Sequence, residues 1–96
     1  MRNLPARDPR PQVGDRLARH HLRHATPVAR WNHPRIDGTT TPMQAVVIDP
    51  HGPGRRLVIA QAHGRTWTTT RTIGTDIPGG IDEAICMLRR DAEATA

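Results

Sequence analysis

The sequence predicts an α+β domain: a small antiparallel sheet of three strands, or four if a weaker segment joins it, with an amphipathic C-terminal helix and a short basic N-terminal helix. Three features carry that prediction. Two apolar, partly β-branched runs, "QAVVID" and "LVIAQA", flank the turn-forming "PHGPGRR". A run that alternates in period two, "RTWTTTRTI", follows them, and "GIDEAICMLRRDAEA" repeats apolar residues at the spacing of one helix face.

The opening "MRNLPARDPRPQ" has three prolines and no hydrophobic period, so residues 1–13 read as a flexible basic arm and residues 14–96 as one small domain. A basic helix is expected over residues 14–25, with Asp15 near its start and Thr26-Pro27 stopping it. At helical spacing Arg16, Arg19 and Arg23 form one stripe, while Leu17, Ala18, His21, Leu22 and Ala25 spread over the other side. A helix this short does not persist alone in water, so it needs docking or a partner. "PVARWN" is the optional fourth strand, before "HPRIDGTTTP" interrupts the pattern with Pro34, Gly38 and Pro42.

The sheet proper is expected over residues 44–73. Pro53 and Gly54 suit a type II turn between its first two strands. In the third, Trp67, Thr69, Arg71 and Ile73 alternate with a solvated face of Thr66, Thr68, Thr70 and Thr72. The C-terminal helix is expected over residues 80–94. Ile81, Ala84, Ile85, Leu88 and Ala92 form its apolar face, Asp82 and Glu83 sit in its first turn, and Arg89 and Arg90 further along complement the dipole.

The core must be modest, because the chain has no Phe or Tyr and two Trp. "AVVI" and "LVIA" do not alternate, which predicts cover on both faces of their strands. The C-terminal helix covers one. Either the N-terminal helix or a second protein must cover the other, and that is the sequence argument for self-association or a partner.

A lone Cys86 forms no internal disulfide, the first residues lack the apolar run of a secretory signal, and no apolar stretch approaches the ~20 residues that span a bilayer. A cytoplasmic protein is expected, with no membrane role. Net charge is +5, carried wholly by Arg. The absence of Lys and Ser alongside abundant Ala, Gly, Pro and Thr is the signature of a GC-rich genome, so the arginine count is partly codon usage. Position is not. Residues 1–35 carry eight Arg against two Asp, a net +6, and residues 36–96 carry six Arg against seven acids, a net −1.

Three kinds of chemistry are weighed and set aside. His20 and His24 are four apart, with His21, His33, His51, His63 and Cys86 as further ligand types, but there is no CxxC, second close pair or HExxH, so no metal or other cofactor is expected. Without Ser, a nucleophile would have to be Cys86 or a Thr, and Cys86 lies in mid-helix, roughly 140° from Ile81. Asp82 and Glu83 are adjacent and point apart, which suits dipole partners better than an acid/base pair. "DPHGPGRR" resembles an anion loop, but Pro50 and Pro53 offer no N–H and the loop joins two strands.

The favoured expectation is a non-enzymatic nucleic-acid-binding protein that contacts phosphates through Arg7, Arg10, Arg16, Arg19, Arg23 and Arg30, with DNA and RNA left open. The alternative is a protein-interaction or self-associating module that uses the sheet. A sheet followed by a helix is also the architecture of modules that lay a sheet in the DNA major groove. On that likeness Arg65, Thr68 and Thr70 would meet DNA, although exposed strands use threonine for its β-propensity alone.

Overall fold

A computed structural model describes residues 11–52, 54–75 and 79–95. The chain runs α1 (Arg19–Leu22), β1 (Thr26–Pro34), β2 (Thr40–Ile48), β3 (Arg56–His63), β4 (Thr66–Ile73) and α2 (Gly80–Thr95). The strands form one antiparallel meander in the order β1-β2-β3-β4. The α+β architecture expected from the sequence is therefore present, with the optional strand as a full nine-residue member at the sheet edge. Edge position explains how β1 tolerates Pro27 and Pro34, since an edge strand needs only half of its backbone donors.

Both faces of β2 and β3 are buried, as their unbroken apolar runs require. On one face Ala45, Val47, Leu57 and Ile59 pack with Ile81 of α2, joined by Ala84, Ile85 and Leu88 and by Val28, Trp31, Met43 and Ile73 from the strands. On the other, Val46, Ile48, Val58 and Ala60 pack with Leu17, joined by Leu22, Ala25 and Trp67. The second cover thus comes from the chain itself, and the need for another protein to shield this face disappears.

How the N-terminal segment reaches that face corrects the expected helix. Residues 14–17 do not coil. They hook onto the edge of β4: the Gly14 N–H donates to the Thr69 carbonyl (2.8 Å), the Thr69 N–H to the Asp15 carbonyl (2.8 Å) and the Leu17 N–H to the Trp67 carbonyl (2.8 Å). Gly14, at φ +91°, makes the turn into this hook, a conformation that costs glycine little. From there the chain crosses the sheet to β1 at the opposite edge, and helix is confined to the single turn Arg19–Leu22. A 12-residue helix is only marginally stable in water, whereas the edge of β4 offers the segment backbone hydrogen bonds together with burial of Leu17, so local helical spacing loses to the sheet. Within the segment expected as an arm, Pro11 is fully buried and the Gln12 N–H donates to Asp15 Oδ2 (2.9 Å). Residues 1–10 lie outside the described residues.

β4 departs from simple alternation. Ile59 pairs with Arg71 and Ala60 with Thr69, which leaves Thr70 as a bulge whose hydroxyl donates to the Ile59 carbonyl (3.2 Å). The bulge turns the strand over. Trp67 and Thr69 join the face covered by Leu17, whereas Arg71 and Ile73 register on the α2 face. The expected grouping of Trp67, Thr69, Arg71 and Ile73 on one side is therefore split, and Thr69 is 1% exposed. α2 follows its expected apolar face, and Arg55 at the end of the β2–β3 loop meets Asp82 in its first turn (3.0 Å). Arg89 and Arg90 fall short of the last turn, which carries no base.

In the β2–β3 turn, where Pro53 lies outside the described residues, the Arg55 N–H donates to the Gly52 carbonyl (3.3 Å) across the expected Pro53-Gly54 pair, and Asp49 braces the loop before it. Asp49 sits at φ +46°, its carbonyl accepts from the Gly52 N–H (3.1 Å) and its Oδ2 from the Gly54 N–H (2.8 Å). A side chain on Gly52 would collide with that carboxylate. At the β1–β2 tip, Asp37 Oδ1 accepts from the Thr39 hydroxyl (2.6 Å) and the Thr39 N–H (3.0 Å), which hold the Asp37 carboxyl below its usual range, aided by the charge of Arg35.

Three outcomes follow from this packing. Leu17→Ala removes the main anchor of the N-terminal cover and should cost about 2–4 kcal/mol in urea unfolding. Thr69 Oγ1 is buried without a hydrogen-bond partner among the described residues, so Thr69→Val should leave stability unchanged or raise it by about 1 kcal/mol. Asp37 should titrate in NMR below an ordinary aspartate, and Thr39→Ala should return it toward the usual value. Because the folded value is the depressed one, the ordering of the tip that Asp37 provides is present above the ordinary carboxylate range and is lost as pH falls through the folded value.

Candidate nucleic-acid interface

The two covers of the sheet differ in charge. Residues 11–35, which hook onto β4, cross the sheet and form β1, carry five arginines against Asp15. α2 carries Arg89 and Arg90 against Asp82, Glu83, Asp91 and Glu93. The N-terminal cover is therefore basic and α2 taken alone is acidic, with Arg71 of β4 on the same face as α2 and Arg55 paired to Asp82. Arg16, Arg19, Arg23 and Arg30 are all exposed. They do not form the expected helical stripe: Arg16 pairs with Thr68 at the β4 edge, Arg19 opens α1, Arg23 caps its C-terminus, and Arg30 lies in β1 opposite Gln44. Arg7 and Arg10 lie outside the described residues.

A second feature comes from the lengths of the pairings. β2 and β3 stay paired only as far as Met43 with Gln61. β1 and β2 continue to Pro34 with Thr40, and β3 and β4 to His63 with Thr66. Since the strands are antiparallel, both turns lie at the same end, and the sheet there forks into two hairpins. Pro42, which has no N–H to donate, stands where β2 parts from β3. Pairs continue at about 3.3 Å per residue, so the β1–β2 finger extends roughly 10 Å beyond the last β2–β3 pair before its turn begins.

In the crotch of the fork lies a groove of ≈ 260 Å³ lined by Arg30, Trp31, Asn32, Pro42, Met43 and Trp67. It draws in both aromatic residues of the chain. Exposed Arg35 stands at one fingertip and exposed Arg65 at the other, with Asp37 the single carboxylate among residues 26–42 and 61–68. A larger hollow of ≈ 590 Å³ at the β1–β2 tip is bounded by the five consecutive residues 33–37 alone, so no second element closes it, and Ile36 there is fully exposed. Of the residues singled out in the sequence, Arg30 alone enters the groove. Trp31 and Trp67, 36 positions apart, carried no local signal. Period-two alternation with the bulge unseen set Trp67 beside Ile73 rather than beside Leu17.

The other candidate sites resolve on simple grounds. α1 ends at Leu22, so His20 and His24 do not share a helix face, and no group of three or more His, Cys, Asp or Glu among the described residues could hold a metal ion. His21 is a structural residue, its Nδ1 accepting from the Ala18 N–H (3.0 Å). Cys86 is exposed on α2. In the β2–β3 loop the Gly54 N–H is taken by Asp49 and Arg55 by Asp82. Thr68 is half-buried on the α2 side, and with both sheet faces covered there is no bare central face for a major groove to receive. No helix among the described residues is long and apolar enough to cross a membrane.

Comparison with known proteins finds no matching family model, no similar curated protein and no similar solved structure. The functional reading therefore rests on the charged layers and the forked end of the sheet.

Proposed function

We propose that this chain is a small, non-enzymatic nucleic-acid-binding protein that contacts the phosphate backbone through Arg16, Arg19, Arg23 and Arg30. The observation that supports the reading is the polarity of the molecule. Codon bias accounts for part of the arginine count, but not for a basic cover on one face of the sheet and an acidic helix on the other. A polyanion approaching this molecule is drawn to the basic layer and repelled from α2, so the charge orients the encounter as well as favouring it. Phosphate contacts of this kind release condensed counterions and need no base recognition.

The alternative, a module that self-associates through the sheet, has lost its main support now that Leu17, Leu22 and Ala25 cover the second face. What is left to it is the outer edge of β1. Pro27, Pro34 and the bulge at Val28 interrupt that edge, and these are devices that discourage strand addition.

The test is the salt dependence of binding to a labelled duplex, followed by fluorescence anisotropy. Combining Arg19→Ala, Arg23→Ala and Arg30→Ala should flatten the log–log slope by about 2–3, near 0.9 for each phosphate no longer neutralised. Combining Arg89→Ala and Arg90→Ala on α2 should leave the slope close to wild type. Equal effects from the two sets would mean that net charge alone drives binding, and would sink the assignment to this layer.

A further inference from the structure

We propose that the groove in the fork is a binding site for one unpaired nucleobase, stacked on Trp67, with Asn32 at the base edge and Arg30 at its phosphate. This rests on the nucleic-acid reading and narrows it, from any phosphate backbone to strands with accessible bases.

Size is the first argument. At ≈ 260 Å³ the groove is smaller than the ~300–1,000 Å³ of sites that enclose drug-sized ligands, and suits a single flat ring. Chemistry is the second. Its lining joins Trp67 and Pro42 with the Asn32 amide, which both donates and accepts hydrogen bonds, and the Arg30 guanidinium, while Trp31 and Met43, which pack toward α2, border it from the other face of the sheet. Stacking surfaces beside a cation are what strand-binding proteins use to hold bases without demanding a sequence. Trp31 and Trp67 pack against opposite cores and each remains partly exposed, so part of both tryptophans stays open to a ligand.

Surroundings are the third argument. A strand lying between the fingers passes Arg35 on one and Arg65 on the other. Of the carboxylates nearby, Asp37 is turned onto Thr39 in its own turn and Asp15, on the β4 edge, accepts from the Gln12 N–H. This balance favours a polyanion over the other ligand that tryptophan–proline grooves accept, an extended proline-rich peptide.

The experiment uses the full chain and reads its tryptophan emission during titration with a 12-nucleotide deoxythymidylate strand and with an abasic strand of the same length and charge. The thymidylate strand should quench emission and bind about 5- to 150-fold more tightly than the abasic one, the range expected for one stacked base. Trp67→Leu should erase that preference while keeping the salt slope, Trp67→Phe should restore most of it, and Asn32→Ala, at an exposed strand position, should reduce it without touching the core. Equal affinity for both strands in the wild-type chain would overturn the stacking site and leave the phosphate reading standing. Binding of neither strand nor a duplex would overturn both. Quenching by a neutral proline-rich peptide that the thymidylate strand fails to displace would assign the groove to a peptide instead.

Discussion

Two central strands apolar on both sides impose the constraint on which this molecule is built. β2 and β3 bury Ala45, Val47, Leu57 and Ile59 toward α2, and Val46, Ile48, Val58 and Ala60 toward Leu17. A sheet of that kind is stable only between two layers, and the described residues include one long helix, α2. The remaining cover is a thin crossover, anchored at the β4 edge by three backbone hydrogen bonds and across the face by Leu17, Leu22 and Ala25. The N-terminal segment is therefore structural before it is anything else. Its one helical turn exists because Leu17 and Leu22 dock on the sheet, since four residues have no helical stability of their own.

The same crossover sets the electrostatics. Its apolar residues are few and well spaced, so the positions between them are free to face water, and arginine fills many of them. Long side chains suit such a layer, because their stems can lie along apolar surface while their charges stay hydrated. On the far side α2 turns its apolar stripe to the sheet and leaves four carboxylates and two arginines to solvent. A molecule with a basic cover on one face and an acidic helix on the other follows from how each cover divides its residues, and the fork adds aromatic surface at one end of the sheet.

Much of the architecture was legible in the sequence because it depends on local pattern. α2 shows in the spacing of Ile81, Ala84, Ile85 and Leu88, and β2 and β3 in runs too apolar for half-exposed strands. Those runs also announced the second cover, although not its form. What escaped depends on contacts distant in sequence. The hook of residues 14–17 is decided by the free edge of β4, about 50 residues away, and the 14–25 segment carries leucines and alanines that satisfy a helical pattern equally well. The bulge at Thr70 is invisible in a string of threonines, yet it sends Trp67 and Ile73 to opposite faces. The fork required knowing where β2 and β3 cease to pair. Arg30 was legible as a charge, but its neighbours Asn32, Pro42 and Trp67 were not, because three strands bring them together.

Whether the structural crossover doubles as a nucleic-acid contact surface can be read residue by residue in amide chemical shifts of the ¹⁵N-labelled full chain during titration with a short oligonucleotide. Salt-sensitive shifts are expected in residues 16–35 and 61–68, on the basic layer and both fingers, with α2 unmoved. Shifts centred on α2, or none at oligonucleotide concentrations well above those of ordinary non-specific binding, would contradict that role and leave the crossover as a structural cover alone.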